Sequence, residues 1–133
     1  MESLSLLVLI LLISTAIGFW YRSKNGVIRK KRRLHIGEAE FAGRYGSRIT
    51  ILQFSTTFCS QCRAAKALIN DVVKEEKDIS YLEIDAESNL ALVRKVDVRS
   101  TPTTIFLDKG GYEIARATGA PKRDQLQKVI ASL

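Results

Sequence analysis

The chain has little with which to hold a metal. Among its 133 residues there are two cysteines and one histidine. A structural zinc site takes four ligands, usually two cysteine pairs or one pair with histidines. One chain of this composition cannot complete such a site, so no metal and no other cofactor is expected. A domain of about 100 residues builds a core that needs no staple. A bridge between Cys59 and Cys62 would in any case close too short a loop to constrain the unfolded chain much. Residues 3–21 lack any charged side chain, and residues 22–33 lack any acid. Elsewhere the acids are scattered and offer no carboxylate pair. Beyond the basic run at 22–33 there is no low-complexity tract, and no internal repeat.

What is present begins with charge. The formal net charge is +7, which taken alone suggests a nucleic-acid surface. Its location argues otherwise. Arg22, Lys24, Arg29, Lys30, Lys31, Arg32 and Arg33 supply seven of the 21 basic side chains, and Glu2 is the only acid ahead of them. From residue 34 onward, 14 basic side chains balance 13 acids. The globular part is near neutral, and no nucleic-acid partner is expected.

The uncharged run 3–21, "SLSLLVLILLISTAIGFWY", has the length of a helix that spans the hydrocarbon layer at about 1.5 Å per residue. Phe19, Trp20 and Tyr21 close it in the manner of an aromatic belt. A cleaved signal peptide would carry positive residues ahead of a shorter apolar core and a small-x-small cleavage site. Glu2 and "GFWYRSK" supply neither. The expected organisation is a single-pass anchor over 1–21, a basic juxtamembrane linker over 22–36 and a globular domain over 37–133. Basic residues on one flank of a membrane helix favour the cytoplasmic side and are drawn to anionic head groups. The domain is therefore expected to face the cytoplasm.

Periodicity then orders the domain. Residues 38–46 suggest a short helix closed by Gly46. Residues 48–55, "RITILQFS", are apolar, β-prone and short enough for a buried strand. From 60 to 76 the period becomes helical, with Cys62, Ala65, Leu68, Ile69, Val72 and Val73 on one face. Residues 79–85 read as a second strand, and 87–96 as a helix that Ser88 can cap. Residues 101–108 and 111–118 read as strands joined by a tight "DKGG" hairpin. Pro121 can open a last helix with Leu126, Val129, Ile130 and Leu133 as its stripe. Strands that alternate with helices should pair in parallel, and the last two as an antiparallel hairpin. The expected class is α/β, a mixed central sheet with helices on both faces.

The cysteines fall where this layout changes from strand to helix. Cys59 meets unsatisfied backbone N–H groups and the positive end of the helix dipole, which favour its nucleophilic thiolate. Cys62 lies one turn further, on the apolar face, and should be buried and react only with its neighbour. A C-x-x-C near a βαβ pattern is a redox signature. The pair is therefore read as a working dithiol–disulfide, against a structural staple or two inert core cysteines. Arg63 follows the pair and could lower a thiol pKa, although a solvated position is equally consistent. His35 reads as an exposed linker residue.

Four segments, "ILQFSTTFCSQCR", "YLEIDAES", "VRSTPTTIFLD" and "ATGAPKRDQLQKVI", agree in order and spacing with thioredoxin. The resemblance covers about residues 47–132, and the chain as a whole resembles the membrane-anchored thioredoxin-like proteins of bacteria. It implies a thioredoxin-like fold with a cis proline at Pro102 beside the redox pair. It also implies a substrate-binding surface from Phe58, Ser60, Gln61, Thr101, Pro102 and Gly119. Several positions depart from the family. Gln53 stands where the family has a buried aspartate, and Tyr81 where it has that aspartate's partner lysine. Phe58 replaces a tryptophan, and Ser60-Gln61 replaces Gly-Pro. The family's first strand should be absent or rudimentary. The implied activity is disulfide reduction at the membrane, with Cys59 as nucleophile and Cys62 as resolving thiol. Its partners would be protein disulfides and an unidentified electron donor. A non-catalytic docking module at the membrane is the alternative. Reversed topology would instead make the chain an extracytoplasmic oxidoreductase.

Overall fold

A computed structural model gives the fold and describes residues 1–30 and 34–133. Lys31, Arg32 and Arg33 of the basic run lie outside the described residues. The chain opens with helix α1, Glu2–Lys24. This helix is long and apolar enough to cross a membrane, and none of its apolar window is buried against the rest of the chain. Two of its hydroxyls are satisfied within the helix: Thr15 Oγ1 donates to the Leu11 carbonyl at 2.7 Å and Ser23 Oγ to the Trp20 carbonyl at 2.8 Å. At the C-terminal end the Lys24 ammonium lies 3.7 Å over the Trp20 ring, and Arg22 and Lys24 complement the helix dipole.

Next come β1 (Ile28–Lys30), α2 (Glu38–Phe41), β2 (Ile49–Ser55), α3 (Ser60–Val73), β3 (Ile79–Asp85), α4 (Leu90–Lys95), β4 (Thr103–Asp108), β5 (Glu113–Thr118) and α5 (Arg123–Ala131). The five strands form one sheet in the order β1-β5-β4-β2-β3. Every residue of the interior strand β2 is buried, as the nearly unbroken apolar run suggested. Its side chains alternate between two cores. Leu52 and Phe54 join Ile36, Phe41, Ile84, Leu92, Val96, Ile105 and Leu107 beneath α2 and α4. Ile49 and Ile51 join Ile69, Phe106, Ala115, Leu126 and Ile130 beneath α3 and α5. Helices thus cover both faces of a mixed five-stranded sheet.

The structure differs from the expected layout in several places. The segment 22–36, expected to be linker throughout, contains β1, which pairs antiparallel with β5, and Ile36, which is fully buried. With Ile28 the one apolar residue in a three-residue strand, β1 had no visible period. His35 is exposed, yet it bridges to Tyr112 with the rings edge to face at 5.0 Å.

The helix expected at 38–46 stops after Phe41, at Ala42 with a φ of 51°, and not at Gly46. Strand β4 runs antiparallel to β2, although a helix precedes it. Helix α4 covers only about 9 Å, against about 23 Å for a seven-residue strand, so it does not carry the chain back along the sheet. The chain enters β4 at the end where β3 stops, with Ser55 opposite Asp85 and Phe54 opposite Thr103. Ser88 does not cap α4. Its hydroxyl donates to Asp85, and Asn89 holds the N-cap position. Pro121 precedes the final helix by two residues, with Lys122 at its N-cap.

Candidate active site

The end of β2 projects Thr56 and Thr57 past the sheet, and the chain turns into α3 through Phe58 and Cys59. Cys59 is the N-cap of α3, and its sulfur accepts the Cys62 N–H at 3.1 Å. The Cys59 N–H donates to the Thr56 carbonyl at 3.4 Å, which tightens the turn. Cys59 and Cys62 are joined as a disulfide with Cα atoms 5.2 Å apart. Cys59 is partly exposed, whereas Cys62 is 2% exposed on the inner face of α3. The asymmetry expected from helix position is therefore present in burial and in hydrogen bonding.

A neutral hydrogen-bonded column supports the pair from β2 and β3. The Gln53 amide donates through Nε2 to the Cys62 carbonyl at 2.9 Å. The Tyr81 hydroxyl donates to Gln53 Oε1 at 2.8 Å. Burial, and then the nearby Glu83 charge, push the Tyr81 phenol well above its ordinary value. Neither side chain exchanges protons near neutrality, so this column positions and does not titrate.

A groove of about 390 Å³ lies on the β3 side of the pair, lined by Ser55, Thr56, Thr57, Cys59, Cys62, Arg63, Glu83 and Asp85. Glu83 accepts from Ser55 at 2.8 Å and pairs with Lys66. The Lys66 hydrogen bond, joined by that of Ser55, holds its carboxyl below the ordinary range. Sequence reasoning missed Glu83 and Asp85. The signal was the two-residue period at the end of a strand that stops beside the cysteines.

The residues expected to bind substrate lie around the pair and outside this groove. Phe58 is 97% exposed. Ser60 and Gln61 occupy the exposed first turn of α3. On the β4 side, the Thr101–Pro102 peptide is cis, as the resemblance implied. Thr101 Oγ1 lies 3.4 Å from Thr56 Oγ1. Gly119, with a φ of 86°, donates its N–H to the Pro102 carbonyl at 2.8 Å. Thr101, Pro102 and Gly119 are thus gathered against the loop that carries Cys59. Among the described residues no group of three or more His, Cys, Asp or Glu side chains comes together as a metal site.

A disulfide at a helix N-terminus, one sulfur accessible and one buried, beside a cis-proline turn, defines a site for thiol–disulfide exchange. The comparison with known families agrees: the thioredoxin family model matches residues 35–132, and the chain belongs to that family. Among curated relatives, rice thioredoxin H5 is 35% identical over 78 residues, covering 59% of this chain and 57% of its own. Rice thioredoxin H2-2 is 29% identical over 84 residues, covering 63% of this chain and 61% of its own. The chain therefore spans about three fifths of the length of these two relatives. Among solved structures, thioredoxin f from spinach chloroplast superposes with a TM-score of 0.58 and 26% identity, over 65% of this chain and 77% of that one.

Proposed function

We propose that this chain is a membrane-tethered thiol–disulfide oxidoreductase that reduces protein disulfides on the cytoplasmic face. The observation that carries the chemistry is the unequal setting of the two sulfurs. Cys59 Sγ receives a helix-terminal N–H, whereas Cys62 is buried. In the reduced protein that same N–H and the α3 dipole would stabilise a Cys59 thiolate. The thiolate attacks one sulfur of a substrate disulfide, and the other substrate sulfur leaves as a thiolate. Cys62 gives up its proton, which the departing thiolate can take, and attacks Cys59 Sγ. The second substrate sulfur then leaves, and the Cys59–Cys62 disulfide remains. Two electrons have passed to the substrate, and an electron donor must restore the dithiol. Phe58, Ser60, Gln61, Thr101, Pro102 and Gly119 would form the surface that receives the substrate chain.

The unburied apolar helix α1 supports the tether, and its basic C-terminal flank supports the cytoplasmic side. The test of roles is trapping. Cys62→Ser should accumulate mixed disulfides through Cys59, and Cys59→Ser should accumulate none. Capture by Cys59→Ser alone would overturn the assignment.

A further inference from the structure

The anchor enters the fold at the redox end of the sheet. Ile28 at the start of β1 lies opposite Ala117, which lies opposite Thr104, then Gln53, then Glu83. One row of the sheet therefore runs from the incoming anchor to the residue that supports Cys62. From β1 to β2 this row crosses three strand spacings, about 14 Å. The connection is also fixed. Helix α1 ends at Lys24, and two residues later the Gly26 N–H donates to the Thr118 carbonyl at 2.7 Å. Gly26 is buried with a φ of 76°, and a Cβ there would collide with the Ala120 carbonyl. Thr118 leads directly into Gly119, whose N–H holds the Pro102 carbonyl. Thr101 in turn touches Thr56, whose carbonyl accepts the Cys59 N–H.

The consequence is a limit on reach. With the span ending near Tyr21, three helical and two extended residues place Gly26 at most about 11 Å beyond the hydrocarbon edge. The head-group layer itself is about 5–7 Å thick on each side. An unstructured segment over 22–36 would instead let the domain range about 20 Å or more. Phe58, almost fully exposed next to Cys59, adds an aromatic ring suited to a membrane–water boundary.

We infer that the substrates of this site are disulfides presented at the membrane surface, in the juxtamembrane segments of membrane proteins, and that the stitch at Gly26 selects them. This inference rests on the proposed reading of the chain as a tethered oxidoreductase. In the reaction the Cys59–Cys62 dithiol is oxidised to its disulfide, and the surface-presented disulfide is reduced to two thiols.

The test uses the full chain, pre-reduced and inserted in phosphatidylcholine vesicles. One quenched peptide disulfide is offered in two forms, dissolved or attached by a short spacer to phosphatidylethanolamine. Single-turnover rates are compared at matched overall peptide concentration. A second protein carries about 15 Gly/Ser residues between Lys24 and Asn25, which adds about 20 Å of reach. The native chain should reduce the attached peptide at least about tenfold faster than the dissolved one, from effective concentration. The insertion should lower that ratio about threefold or more while leaving the dissolved-peptide rate unchanged. Equal ratios for the two proteins, or no preference in the native chain, would overturn the inference while leaving the oxidoreductase reading intact. Failure of both proteins on both peptides would overturn the oxidoreductase reading, and this inference with it.

Discussion

Gln53 holds Cys62 from beneath, its amide donating to the Cys62 carbonyl across 2.9 Å, and Tyr81 in turn holds Gln53. Tyr81→Phe removes the hydroxyl that donates to Gln53 Oε1 and should destabilise the domain by about 1–3 kcal/mol. On the neighbouring strand, Thr104 Oγ1 is buried and is the one such side-chain atom without a partner among the described residues. Thr104→Val keeps the shape, removes the orphaned hydroxyl and should stabilise by about 1 kcal/mol. Denaturant unfolding in detergent reads both. Opposite signs for the two variants are the expected result.

The pair Glu113–Arg116 should behave differently under single and double replacement. A bulge between Ala115 and Glu113 opposite Phe106 and Leu107 turns both side chains to one face of β5, although they stand three apart. Arg116 reaches both carboxylate oxygens and also donates to the Val96 carbonyl at 2.7 Å. It thereby ties down the chain that leads from α4 to Thr101. Arg116→Met should cost about 3–5 kcal/mol, because it strands a buried carboxylate. Glu113→Leu with Arg116→Met should recover most of that stability. Equal losses in the single and double variants would show that the carboxylate is not the penalty.

Stability should fall at both ends of the pH range for separate reasons. Tyr81 is raised above its ordinary value of 10.0 by burial and then by Glu83. Its contribution is complete below about pH 10 and is lost as the pH climbs beyond it, because the unfolded phenol ionises first. Glu83 is held below its ordinary value of 4.5 by Lys66, with help from Ser55. Its contribution is present above that value and is lost as the pH falls through the lowered one. Denaturant midpoints measured across pH should show Tyr81→Phe flattening the alkaline limb and Glu83→Gln flattening the acid limb. Unchanged limbs would contradict these assignments.

Much of this site was legible in the chain. The apolar run of β2 and the helical stripe beginning at Cys62 placed both cysteines at a strand–helix junction, because period and turn position are local properties. The direction of β4 was not legible, since it depends on how far α4 carries the chain. β1 was hidden because edge pairing needs backbone groups more than apolar side chains, and a strand of three residues is too short to show a period. The Gly26 stitch to Thr118 and the Glu113–Arg116 pair depend on distant register and on a bulge, and neither leaves a local pattern.

The basic flank makes a prediction about topology. In intact cells expressing the full chain, an impermeant thiol reagent applied after reduction should leave Cys59 unlabelled until lysis. Labelling before lysis would place the domain outside and favour the extracytoplasmic oxidoreductase. Neutralising Arg29 to Arg33 should weaken the preference for one orientation.

The most direct measurement of the central claim is electron transfer to a disulfide by the intact protein. The full chain in vesicles is reduced, cleared of reductant and mixed with excess peptide disulfide in solution. The account predicts one peptide disulfide reduced per chain, matched by one Cys59–Cys62 disulfide formed, and none reduced by Cys59→Ser. A native chain that binds the peptide but transfers no electrons, or a Cys59→Ser chain that still turns it over, would contradict the account.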